Sequence, residues 1–161
     1  MNKLKGSGRG QALVEFAFVA PLLFLLLFSI IEAARFIYYT ETLNSATREG
    51  ARYAIVHGSA SSNPTGPGPG CSDCTGNNIK AVVQNYAIGV IRDGDFTINV
   101  CWPGFNSDPE TWVMGTDSCR RNNNPKSFVK VTMDYRYKLL IPLVPLPNVD
   151  LHAESILVIN H

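Results

Sequence analysis

Glu15 is the first residue whose position suggests chemistry, because it is the only charged side chain within residues 12–31. An ionisable group inside a membrane usually has a defined partner. Cleavage between Gly10 and Gln11 creates one, since the new α-amine on Gln11 stands four residues before Glu15, one helical turn away on the same face. In an assembly the amine can equally reach the Glu15 of a neighbouring subunit. The plainer interpretation is that Glu15 lies near the end of a span and extends to the interface.

The four cysteines are the second candidate for chemistry: Cys71, Cys74, Cys101 and Cys119. An even number predicts two structural disulfides in an oxidising compartment, with three connectivities open. We favour a local Cys71–Cys74 bridge, with Cys101–Cys119 closing a second loop. Cys71 and Cys74 also have the spacing of a redox dithiol, so a membrane-tethered thiol oxidoreductase is a distant alternative. A zinc site prefers a second close pair of ligands, which the sequence does not offer.

A third group, Asp150, His152 and Glu154, alternates along one face of a predicted strand. These side chains resemble metal ligands, but a solvated strand face is the commoner cause of such a pattern. His57 and His161 are isolated and carry no functional signal. We find no nucleophile elbow, phosphate loop or acid/base pair, and a net charge of +1 gives no reason to expect nucleic acid as a partner. The sequence therefore predicts no enzyme, metal, cofactor or small-molecule substrate.

Residues 12–31 form the element that must position Glu15. These twenty residues, all apolar or small except Glu15, reach about 30 Å in a helix, the thickness of a bilayer hydrocarbon core. The alternative, a cleaved secretory signal, is disfavoured because the uncharged run is long and no good small-x-small site follows it. Basic residues precede the span, which predicts a cytoplasmic N-terminus and a C-terminal domain outside; they are Lys3, Lys5 and Arg9.

One continuous helix is predicted from residue 12 to residue 56, because no proline or glycine lies between Pro21 and Gly50. Pro21 removes one backbone hydrogen bond and is expected to kink the spanning part. Residues 32–57 are amphipathic. Ala46, Gly50 and Ala54 form a strip of small residues, which permits close approach by a partner helix or, as we expect, by the protein's own outer domain.

The outer part is predicted to be α+β. Residues 58–78 are rich in glycine, proline and serine and indicate a flexible surface loop. Residues 79–161 follow as a small domain. It holds a helix over 79–91 capped by Asn77 or Asn78, and strands over 96–101, 127–138 and 149–159. Residues 102–126 are expected to be irregular, with 112–114 as a short strand or buried anchor. Residues 139–147 form an apolar, proline-rich turn that contacts membrane, partner or the long helix.

The N-terminal pattern resembles a known family. A short basic leader ending in Gly10, four further residues, then Glu15, Phe16 and an apolar helix is the pattern of type IV prepilins. The extension through Pro21 is similar to the TadE-like branch, the minor pilins or pseudopilins of tight-adherence, Flp-type pilus systems. This resemblance covers residues 6–56 well. It implies a pilin-like fold in which the long helix packs by its outer half on a small antiparallel sheet.

The same resemblance implies how the residues act. A prepilin peptidase cuts after Gly10, which removes residues 1–10 as a leader, and Glu15 with Phe16 aids assembly through contacts with other pilins. Gly6 and Gly8 are alternative cut points, but only Gly10 makes Glu15 the fifth mature residue. Gln11 departs from the pattern, and its cyclisation removes the amine charge. The predicted role is pilus assembly or adherence; the alternative is a single-pass anchored binding module that never polymerises.

Overall fold

A computed structural model describes residues 7–68, 73–90, 95–103, 123–139 and 149–160 of the chain. The long helix α1 (Ser7–Val56) is followed by a second helix, α2 (Asn77–Ala87). Three strands complete the fold: β1 (Phe96–Cys101), β2 (Phe128–Tyr137) and β3 (Val149–Val158). The α+β, pilin-like class predicted from the sequence is confirmed, and each of the three predicted strands is present.

Helix α1 is 50 residues long and continues through Pro21, so at 1.5 Å per residue it extends about 75 Å. It begins five residues earlier than predicted and ends at the expected place, just before Gly58. Its two halves have different surroundings. Large apolar side chains of the first half are exposed, whereas Leu43, Ala46 and Ala54 of the second half are buried. The division arises because only the second half meets the outer domain.

The sheet is antiparallel in the order β1-β2-β3. Phe96 pairs with Tyr135 at one end of the β1–β2 ladder, and Tyr137 pairs with Val149 where β2 meets β3. Because side chains alternate between the two faces of a strand, β2 directs Val129, Val131, Met133 and Tyr137 to the buried face. The opposite face carries polar and charged residues, as the alternation in the sequence predicts.

The core lies between the outer half of α1, helix α2 and the buried face of the sheet. Gly50 is at its centre: a Cβ built there would overlap the Val83 side chain of α2. It would also lie 3.5 Å from Ile79 Cγ2 and 3.6 Å from Val131 Cγ1. The strip of small residues on α1 therefore packs under the protein's own outer domain, as expected, and the absence of a side chain at Gly50 lets both elements approach.

Helix α2 differs from its prediction at both ends. It spans Asn77–Ala87 rather than 79–91, and neither asparagine caps it. Its N-cap residue is Gly76, in the left-handed conformation with φ 72°, and Asp73 supplies the cap instead. The Asp73 carboxylate accepts the backbone N–H of Asn78 at 2.6 Å. Although burial raises the pKa of this carboxyl, hydrogen bonds from Asn78, Thr75 and Gly76 outweigh that effect and hold it below 3.8.

The glycine- and proline-rich loop is not the flexible linker predicted from its composition. Where the structure describes it, the loop folds against the end of α1: the Thr65 N–H donates to the His57 carbonyl at 2.8 Å. Thr65 is fully buried, and Asn123 donates its side-chain amide to the carbonyls of both His57 and Thr65. His57, expected to carry no signal, thus fastens the loop. Its ring also stacks on Tyr53 with centroids 4.0 Å apart.

Trp102 explains why glycines are needed in that loop. Its indole is 1% exposed, and a Cβ at Gly66 or Gly76 would lie 2.6 or 2.7 Å from its ring atoms. Both glycines have positive φ, 104° and 72°, a conformation that side-chain-bearing residues rarely adopt. Trp102 is a buried anchor that the sequence analysis did not select. The anchor proposed for 112–114 and the apolar turn around 139–147 lie largely outside the described residues.

Candidate assembly surface

The first half of α1 presents a continuous apolar surface. Phe18 and Leu22 are 74% and 70% exposed, and the apolar window that qualifies as a candidate membrane span is 0% buried within the protein. Helix α1 is the one described helix long and apolar enough to cross a membrane. Exposed apolar patches of this size mark surfaces that interact with a membrane or with other proteins.

The predicted processing and assembly residues all lie on this exposed helix. Gly10 and Gln11 lie at the start of α1, three and four residues after its first residue, Ser7. A Cβ built at Gly10 meets nothing within 4 Å. Glu15 and Phe16 are exposed one turn further on. Within the part of the chain that the structure describes, no ion pair joins Glu15 to another residue.

Hydroxyl side chains on the exposed surface of α1 are hydrogen-bonded to the helix itself. Ser29 Oγ donates to the carbonyl of Leu25 at 2.8 Å, and Thr40 Oγ1 donates to the carbonyl of Phe36 at 2.9 Å. Bonds from a side chain to the preceding turn satisfy the hydroxyl locally. The apolar surface is therefore compatible with lipid along its length, apart from Glu15.

Glu32 joins the two halves of the molecule at the point where the apolar surface meets the outer domain. The hydroxyl of Tyr137, at the end of β2, donates to Glu32 Oε1 at 2.6 Å. Arg35 Nη1 donates to the other carboxylate oxygen at 3.3 Å. The Glu32 side chain is 16% exposed, and a charge this sheltered is tolerated because both of its oxygens have donors.

Aromatic rings surround this ion pair. The Arg35 guanidinium lies 5.7 Å from the ring centroids of both Tyr39 and Tyr137, within the range of cation–π attraction. Phe36 and Tyr39 each meet the Tyr137 ring edge-on, at 5.7 and 5.3 Å between centroids. We call Glu32, Arg35, Phe36, Tyr39 and Tyr137 the junction cluster. It fixes how the sheet meets the helix.

The protonation of Tyr137 follows from this setting. Burial of the hydroxyl and its hydrogen bond to Glu32 raise the pKa of Tyr137 to about 12. The phenol consequently stays protonated and donates its proton to the carboxylate throughout the physiological range. This contact could not be read from the sequence, because Glu32 and Tyr137 stand 105 positions apart.

The third sequence group lies on the outer face of the sheet, where each member has an ionic partner. Asp150 pairs with Arg136 at 3.5 Å, His152 with Asp134 at 2.6 Å, and Glu154 with Lys130 at 2.5 Å. The hydrogen bond to Asp134 raises the pKa of His152, with Glu154 adding to the effect against partial desolvation. Cross-strand partners neutralise these carboxylates, and no metal-binding group occurs among the described residues. The face is a solvated, charge-paired surface.

The cysteines are described only in part. Cys74 and Cys101 are disulfide-bonded, whereas Cys71 and Cys119 lie outside the described residues. The pairing favoured from the sequence therefore stays a prediction. Cys101 ends β1 opposite Lys130 of β2, and Cys74 directly follows Asp73, the residue that caps α2.

These features define a class of protein: a pilin-like architecture in which an exposed apolar helix continues into a small α+β domain. The family model described as TadE-like protein matches residues 10–52. That match confirms the resemblance of the N-terminal helix to the TadE-like family over these residues. It begins at Gly10 and ends within the buried half of α1. No curated protein and no solved structure matches the chain.

Proposed function

We propose that the protein is a minor pilin or pseudopilin of a Flp/Tad-type pilus system, matured by a prepilin peptidase between Gly10 and Gln11. The observation that carries the proposal is the exposure of the apolar half of α1, with Glu15 as the single charge within residues 12–31. The TadE-like match over the same residues supports it. The protein acts as a structural component of pilus assembly or surface adherence, and no catalytic role is assigned to it.

The apolar helix serves twice in this proposal. Lipid of the inner membrane surrounds it first, with Lys3, Lys5 and Arg9 holding the N-terminus on the cytoplasmic side. Helices of other pilins then replace the lipid during assembly. A carboxylate within the apolar part of a membrane helix is costly unless it is paired. Glu15 therefore favours a neighbouring helix that brings a positive charge, and the α-amine of Gln11 on an adjacent subunit supplies it.

Intact-mass measurement of the purified mature chain tests the processing step. We expect the measured mass to be lower than that of the full-length chain by the mass of residues 1–10. A further loss of one ammonia would show that Gln11 has cyclised. Gly10→Leu is expected to leave the chain uncut without disturbing the fold, because the position is open. Gly8→Leu is the matched control and should be processed normally. A full-length native chain would refute maturation and leave the alternative of a simple anchor.

The role of Glu15 is tested separately by Glu15→Ala, with Glu41→Ala as the control on the same helix. Both residues are exposed in the structure, but Glu41 lies beyond the apolar surface. We expect both variants to remain in the membrane fraction, and only Glu15→Ala to lose incorporation into sheared surface pili or the assembly complex. Equal incorporation of the two variants would contradict the proposed charge pairing.

A further inference from the structure

The exposed apolar surface of α1 does not end where the sequence places the end of the span. Beyond residue 31, Phe36, Ile37 and Tyr38 are still exposed, with Ile37 and Tyr38 each at 60%. From Tyr39 to Ile55, by contrast, no large apolar side chain of α1 is among the exposed ones. The apolar surface is therefore continuous to Tyr38, seven residues or about 10 Å past the predicted boundary.

That distance is slightly larger than the depth of the headgroup layer that borders the hydrocarbon core. A bilayer has a hydrocarbon core of about 30 Å and a total thickness of about 40–45 Å, so each headgroup layer is about 5–8 Å deep. If residues 12–31 fill the core, the helix from Glu32 to Tyr38 crosses the outer headgroup layer. Tyrosine and other aromatic side chains with a polar edge favour this layer, and Tyr38, which is 60% exposed, is such a side chain.

The charges in this stretch are neutralised within the protein. Arg35 donates to Glu32, which also accepts the Tyr137 hydroxyl. An ion pair whose partners are already bonded to each other presents no net charge to the lipid, so its entry into the interface carries a reduced desolvation cost. The surface therefore fits lipid headgroups without selecting for their charge.

A groove connects the span to the end of the sheet at which β2 finishes and β3 begins, which we call the lower edge. It has a cavity volume of about 480 Å³, with Glu32 and Tyr137 in its wall. Its remaining lining is Ser29, Ala33, Phe36 and Ile37 from α1, with Leu139 and Val149 from the outer domain. Since Ser29 lies within the span and its hydroxyl is satisfied by Leu25, the groove opens directly from the hydrocarbon region.

We propose that this junction surface, formed by Phe36, Ile37 and Val149, is a lipid-docking surface. A phospholipid of the outer leaflet occupies the groove, and the lower edge of the outer domain rests in the headgroup layer. The proposal rests on the membrane span assigned under the proposed function. It adds a second contact with the membrane that holds the outer domain against the bilayer before assembly.

Depth-dependent fluorescence quenching tests the proposal in the full chain reconstituted in phosphatidylcholine vesicles that carry brominated acyl chains. Ile37→Trp and Tyr38→Trp report on the junction, Leu22→Trp on the span and Tyr86→Trp on an exposed position of α2. Tyr86 is 53% exposed and belongs to α2, whose Val83 packs beside Gly50 in the buried half of α1. Quenching of the parent chain, which contains Trp102 and Trp112, is subtracted.

We expect the junction reporters to lose at least twice as much intensity as Tyr86→Trp, and to be quenched more by shallow than by deep bromines. Anionic vesicles should give the same result. If the junction reporters match Tyr86→Trp while Leu22→Trp is quenched, the span stands and lipid docking is overturned. If Leu22→Trp is also unquenched, the span itself fails. Quenching that falls as the protein-to-lipid ratio rises would assign the groove to a second copy and overturn the lipid occupant.

Discussion

Substitution of Gly50 by alanine tests the packing of the outer domain on α1, because two physical effects oppose each other at this position. Alanine stabilises a helix interior by about 1 kcal/mol relative to glycine. The added Cβ, however, overlaps the Val83 side chain, and Ile79 and Val131 lie 3.5 and 3.6 Å from it on the other sides. Valine has little rotamer freedom with which to move away.

Overpacking of a filled core costs typically about 1–3 kcal/mol. Because escape is blocked by α2 and β2 together, we expect the upper part of that range. The net loss in the free energy of unfolding is then about 1–2 kcal/mol. For a domain of roughly 100 residues, a loss of 1 kcal/mol lowers Tm by about 4–8 °C. The assay is urea unfolding of the full chain in detergent, followed by the fluorescence of the buried Trp102.

Two further variants separate overlap from general disturbance. Gly89→Ala is the matched control, since a Cβ built there meets nothing within 4 Å, and its unfolding midpoint should be nearly unchanged. Val83→Ala removes the overlapping methyl groups. The double variant should therefore lose less stability than the two single variants combined. Its loss in the free energy of unfolding should be at least about 1 kcal/mol smaller than the sum of their losses. A Gly50→Ala chain that is more stable than the parent, as helix propensity alone predicts, would refute the packing argument.

Three further predictions concern side chains that the fold brings together. Tyr137→Phe deprives the sheltered Glu32 carboxylate of a donor and should lower the free energy of unfolding by about 1–2 kcal/mol; an unchanged urea midpoint would contradict the role given to this bond. Trp102→Ala should cost about 3–5 kcal/mol and expose the loop to limited proteolysis before the sheet, and protease resistance equal to the parent's would count against Trp102 as an anchor. The folded pKa of His152 is raised, mainly by Asp134, above its ordinary 6.5, so its stabilisation is complete below that value and is lost as pH rises through the folded pKa. Parent and His152→Asn should accordingly differ by about 0.5 kcal/mol in acid and converge in alkali, and a difference that grows with pH would reverse the assigned sign.

The sequence by itself determined the elements whose cause is local. The long helix follows from an apolar run without glycine or proline between Pro21 and Gly50, and the strands follow from strict alternation, most clearly over residues 127–138. The resemblance of residues 10–52 to the TadE-like family was also readable, because Gly10, Glu15 and Phe16 form a pattern at fixed spacing. The roles of those three residues remain predictions, since they depend on partners outside the chain.

The tertiary structure alone decided what depends on distant contacts. Composition made the loop after His57 look like a flexible linker, but Asn123 and Trp102 hold it from far along the chain. Local preference placed the cap of α2 on an asparagine, whereas the positive φ of Gly76 brings Asp73 into that position. In the sequence Glu32 is simply the first residue beyond the span. Only the fold brings it to Tyr137, 105 residues away, whose hydroxyl donates a hydrogen bond to it. Periodicity records which face of an element is buried; it does not record which residue meets that face, because packing is settled only when all elements are in place.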